Sequence, residues 1–129
     1  MLAVDTNVLV RYLVKDDEAQ LARATEIVEH GPIFVSPTVI LESERVLRGF
    51  YRLSRPAVFE ALEAFCGAPG VKVGDAAAVE RAFRLAERGL DFADALHLAQ
   101  AQGCEAFVTF DEDLVRKAKN LQGANARLA

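Results

Sequence analysis

Short runs rich in β-branched or aromatic residues alternate along this chain with longer stretches of helical period, and that alternation limits the fold more than any other feature. The pattern predicts strands at Leu2–Asp5, Ile33–Val35, Val71–Val73 and Glu105–Phe110. It predicts helices over Thr6–Val14, Asp17–His30, Thr38–Tyr51, Ala57–Cys66, Asp75–Arg88, Phe92–Gln102 and Asp111–Lys119. Ser36-Pro37 and Ser54 with Pro56 match helix starts, and Gly31-Pro32, Gly67–Gly70, Gly89 and Gly103 match stops. Asn125–Leu128 carries no decisive pattern. Strands separated by helices need crossover connections, which give parallel pairing with helices on both faces of the sheet. The expected fold is therefore α/β with a mostly parallel central sheet, in one domain over residues 1–129. With 52% apolar and 26% charged residues, such a chain can bury a core without a disulfide or structural metal. Open sheets of this kind bind ligands at the carboxyl ends of their strands.

Acids stand at those ends. Asp5 closes the first predicted strand and Asp111 follows the last. Glu42 lies beside the apolar stretch Val39-Ile40-Leu41, and Asp94 lies within Phe92-Ala93-Asp94-Ala95-Leu96, so both are expected on helix faces that point inward. Isolated buried carboxylates are costly and need partners, protonation or a metal. Each acid taken alone also fits ordinary structural duty. Asp5 and Asp111 suit caps or turns, Glu42 could pair with Arg45, and Asp94 could bond a first-turn amide. Four convergent acids would be another matter. Two carboxylates about 6 Å apart repel by roughly 3 kcal/mol at an effective dielectric constant of about 20, so a cluster of four calls for a divalent cation or partial protonation. An all-oxygen site suits Mg²⁺ or Mn²⁺ rather than zinc.

The charge balance narrows the function classes. There are 15 Lys and Arg against 19 Asp and Glu, a net charge of −4 with a pI near 5.2. That excludes a generic basic nucleic-acid coat but not an enzyme with a local basic patch. Cys66 and Cys104 lack metal-ligand spacing and read as reduced thiols. Met1–Asp5 has no cationic start or long apolar run, and no stretch approaches a membrane span, so a cytoplasmic location is expected.

The opening Val4-Asp5-Thr6-Asn7-Val8-Leu9-Val10-Arg11-Tyr12 resembles the start of PIN-domain ribonucleases, especially the VapC toxins of bacterial toxin–antitoxin pairs. Leu41-Glu42, Asp91-Phe92-Ala93-Asp94-Ala95-Leu96-His97 and Thr109-Phe110-Asp111 match the family's remaining motifs in order. The resemblance covers nearly the whole chain. It implies a three-layer α/β/α sandwich and hydrolysis of RNA phosphodiesters at a Mg²⁺ or Mn²⁺ site. The acids it assigns there are Asp5, Glu42, Asp94 and Asp111, with Asp5 and Asp94 as direct ligands and Glu42 and Asp111 acting through water or a second metal. It also implies a homodimer and a VapB-like antitoxin that blocks the acidic site. The family often ends in a further strand, whereas the tail here is short and polar.

Around those acids, Thr6, Asn7, Asp91 and Thr109 are expected to orient them by hydrogen bonds, although capping explains the same positions as well. Asp113 is a possible weak fifth acid. His97, three residues after Asp94, is read as a packing histidine, because hard cations choose oxygen. Arg45, Arg48 and Arg52 fall at i, i+3 and i+7 along a predicted helical stripe, and Arg11 stands near Asp5. These four are the candidate RNA contacts. Three other readings compete. A haloacid-dehalogenase-type phosphatase would need a second Asp where Asn7 stands. A receiver-like phosphotransfer domain would want adjacent early acids and a late lysine, where Phe110-Asp111 stands. A catalytically silent PIN-like binding module would not need all four acids.

Overall fold

The ends of the helices show most directly why these residues form these elements. In the computed structural model, which describes all residues 1–129, side-chain caps open six of the seven helices. Asp5 accepts from the Thr6 amide at 2.7 Å and starts α1 (Thr6–Val14). Asp17 accepts from the Gln20 amide at the head of α2 (Glu18–Glu29). Ser36 and Ser54 cap α3 (Pro37–Gly49) and α4 (Arg55–Cys66), each with proline in the first turn. Such caps satisfy amides that the helix itself leaves unpaired.

The chain divides into two compact units, Met1–Ala76 and Ala77–Ala129. In the first, β1 (Leu2–Ala3), β2 (Ile33–Val35) and β3 (Val71–Val73) form a parallel sheet in that order. Leu2 stands opposite Ile33, and Ile33 opposite Val71. Crossovers through α1–α2 and α3–α4 make this pairing possible. Leu9, Ile33, Val35, Ile40, Val58 and Leu62 are buried completely, so the sheet and the helices α1, α3 and α4 that supply them share one core. The second unit holds α5 (Ala76–Glu87), α6 (Phe92–Gln100), β4 (Phe107–Thr109), α7 (Glu112–Ala118) and β5 (Ala126–Leu128). The Phe83 and Phe92 rings, 5.0 Å apart, anchor its interior.

The expected α/β order with parallel ladders is present in both units. Two local expectations change. The tail is a strand: β5 pairs in parallel with β4, and the ladder is extended by Phe107 N–H to Asn125 O at 2.8 Å and Ala129 N–H to Thr109 O at 2.9 Å. Ala-Arg-Leu has weak strand propensity, and the free edge of β4 supplies what propensity does not. Helix α3 stops at Gly49, so Arg52 lies beyond it with φ +55° and is not on the predicted helical stripe. No helix is long and apolar enough to cross a membrane.

Candidate active site

In the second unit, a strand end and two helix starts hold the acids. Asp91 caps α6 by accepting from the Ala93 amide at 3.2 Å, which places Asp94 in the first turn. The Thr109 hydroxyl accepts from the Asp111 amide at 3.0 Å, and the Asp111 carboxylate accepts from the Leu114 amide at 3.1 Å to start α7. Thr109 thereby holds the backbone of the acid that follows it. Half-buried Asp94 has its carboxyl pushed above the usual range, first by burial and then by the charges of Asp91 and Asp111. His97 and Lys117 pull it partly back. The charges of Asp91 and Asp111 thus both bear on Asp94.

Two neighbours have other duties. Asp113 pairs with Lys117 at 3.1 Å and with Arg116. The hydrogen bond from Lys117 is the main reason its carboxyl lies below the usual range. Those bonds make Asp113 a partner of its own helix. The exposed His97 ring lies parallel to that of Phe107, with centroids 6.0 Å apart.

In the first unit, Asp5 and Asn7 are exposed and Thr6 is buried against the core. Glu42 corrects an expectation: it is exposed, and the inward acid of α3 is Glu44. The buried residues Ile40, Ser43, Glu44 and Leu47 mark the inner face of the helix, at i, i+3, i+4 and i+7. Glu42 falls outside that stripe and is open to solvent. Its carboxylate is open to a ligand from solvent.

The predicted arginines divide. Arg45 is exposed on α3, and Arg52 is exposed beyond its end. Arg48 is bound to Glu44. Arg11 is drawn into a network with Asp16, Tyr51 and Gln20. Arg11 also lines a cleft between α1 and α2 together with Asn7 and Arg23. Sequence reasoning passed over Arg23, whose only signal was its place on the α2 face turned to α1. No three Asp, Glu, His or Cys side chains are gathered closely enough to hold one metal ion.

The model of the PIN-domain family matches residues 2–120. The chain belongs to the PIN-domain family. No curated protein matches it significantly. With membership goes the three-layer α/β/α fold expected from the sequence, a nuclease-type fold, and the parallel ladders and flanking helices of each unit agree with it. PIN domains in general use divalent metals, and the donor chemistry fits such an ion. Every candidate ligand is a carboxylate oxygen, and at Asp94 burial, followed by the charges of Asp91 and Asp111, already raises the cost of ionisation.

Proposed function

We propose that this PIN-domain chain is a Mg²⁺- or Mn²⁺-dependent endoribonuclease, the toxin of a VapBC-type pair. The observation that carries the proposal is the half-buried Asp94, at the start of a helix, under the charges of Asp91 and Asp111. Ionised Asp94 is a cost to the fold in this arrangement, and a cation bound there would offset it. The residues that would hold the ion are Asp5 and Asp94, with Glu42 and Asp111 acting through water. Bound there, a divalent cation supplies charge that polarises a phosphoryl oxygen and acidifies water.

The side chains of this protein would do the rest. Glu42, solvated and unburdened by burial, is suited to accept a proton from attacking water. Thr109 holds the start of α7, and with it Asp111, in place. Arg45 and Arg52, exposed, would meet RNA phosphates, with Arg11 and Arg48 contributing only where their present partners release them. Exposed Phe50 and Leu53 supply apolar surface for a homodimer partner or for an antitoxin peptide. A cytoplasmic location accords with these roles.

A second reading has one observation in its favour. Glu42, expected on an inward face, is instead exposed on α3, and a catalytically silent PIN-like binding module also accounts for that. One experiment separates the two. Wild type, Asp5→Asn and Asp94→Asn are expressed inducibly in bacteria, RNA ends are mapped, and the purified proteins are assayed with Mg²⁺ and Mn²⁺. Growth arrest and new RNA ends from the wild type alone support the nuclease. Well-folded wild type that cleaves no RNA with either metal supports the binding module.

A further inference from the structure

Phe110 is 88% exposed and stands immediately before Asp111. A phenylalanine side chain left in water forgoes roughly 1.5–3 kcal/mol of burial, so its position needs a reason. Its surroundings are specific. Along β4, Phe107 and Thr109 are half-buried whereas Val108 is 49% exposed, and Phe110 follows the strand directly at a bend. Across the ladder, Val108 stands opposite Arg127 of β5, so Arg127 shares its face, and Arg127 is exposed. Asp113 of α7 is taken up by Arg116 and Lys117, so those two cations are already paired. Val108 and Arg127 thus share an exposed face of the β4–β5 ribbon, and exposed Phe110 extends this surface at the end of β4, next to Asp111 of the candidate site.

We propose that this face is a stacking platform for single-stranded RNA, with a nucleobase on the Phe110 ring and a backbone phosphate on Arg127. The proposal rests on the nuclease function above and deepens it by naming the residues that would hold a base and a phosphate. A protein partner would need a larger apolar patch than one ring and one valine to form an interface core. A base needs one flat π-face and a nearby cation, and it is free to stack only where it is not already paired and stacked in a duplex. Placing the ring one residue from Asp111 would hold the base beside the scissile bond and so bias cleavage toward unpaired segments.

The chain contains no tryptophan, so Phe110→Trp installs a single indole on the platform. A short unstructured oligoribonucleotide of mixed sequence, added without divalent cation to prevent cleavage, should quench that indole. The same sequence annealed to its complement should not. In cleavage assays Phe110→Ala should lower kcat/KM about 5- to 100-fold, mainly through KM, with activity restored by Phe110→Trp. Arg127→Ala should weaken binding and reduce its salt-dependence slope by about one. Wild-type cleavage left unchanged by Phe110→Ala overturns the platform while the nuclease assignment stands. Equal quenching by duplex, or none by single strand, also overturns it. If wild type cleaves no RNA, the nuclease assignment falls, and the quenching titration still decides the platform. A change of sedimentation in Phe110→Ala with unaltered RNA affinity makes the face a self-contact and overturns the proposal.

Discussion

Glu44 and Arg48, one turn apart on α3, form a pair whose carboxylate is 3% exposed while the guanidinium reaches solvent. Arg48 Nε lies 2.7 Å from Oε2, and a terminal nitrogen lies 3.3 Å from Oε1. The arginine thus reaches in from the surface to neutralise an acid within the fold. Arg48→Ala should lower the free energy of unfolding by about 1–3 kcal/mol, because it leaves that acid short of donors. Urea denaturation measures the loss, and adding Glu44→Gln should recover part of it. Unchanged stability with weakened RNA binding would return Arg48 to the substrate.

Asp94 titrates with the opposite consequence for stability. Its folded carboxyl holds a proton more tightly than the unfolded one, whose ordinary value is 3.8. Ionised Asp94 therefore weighs against folding. The handicap is absent below the unfolded value and grows as pH rises through the raised folded one. Asp94→Asn should raise the urea midpoint at neutral pH, with the gain shrinking as the pH is lowered toward 4. It should also abolish cleavage and reduce any stabilisation by Mg²⁺. A variant less stable than wild type at neutral pH would contradict the electrostatic account.

Tyr51 joins two elements through its hydroxyl, which accepts from Arg11 at 2.6 Å and donates to Asp16 at 3.1 Å. Tyr51→Phe should cost about 0.5–1.5 kcal/mol, read from thermal or urea unfolding. If Arg11 also binds phosphate, freeing it this way should tighten RNA binding. Weakened binding would show that the network presents Arg11 to the substrate.

Ser43 is fully buried and its hydroxyl has no hydrogen-bond partner. Ser43→Ala keeps the helix and removes an unpaired polar atom, so stability should rise by about 0.5–1 kcal/mol. A loss of stability on denaturation would mean that the hydroxyl has a partner such as a buried water.

Local chemistry made much of this fold legible. The expected α1, β2 and β3 coincide with the observed Thr6–Val14, Ile33–Val35 and Val71–Val73. Their limits depend on caps and breakers that act over a few residues: Asp5 at the head of α1, Gly31-Pro32 before β2, and Gly70 with φ +83° before β3. The capping serines of α3 and α4 were legible for the same reason. The acids at the strand ends were likewise visible as residues and spacing, and the PIN-domain match over residues 2–120 agrees with the motifs that carry them.

Helix phase and strand partnership were not legible. The run Val39-Ile40-Leu41 is apolar on all sides, so it does not reveal which face turns inward. Only packing against the core selected the Ile40–Ser43–Glu44–Leu47 face, burying Glu44 and leaving Glu42 in solvent. Strand β5 exists because β4 offers it an edge, a contact made across an intervening helix that no short window of sequence contains. Sequence by itself determined every element but β5, where most of them begin, and which residue types could carry the chemistry, since those depend on neighbours in the chain. Tertiary structure alone decided which acid is buried, which arginines are already bound and which ring stands in water, since those depend on residues brought together only by folding.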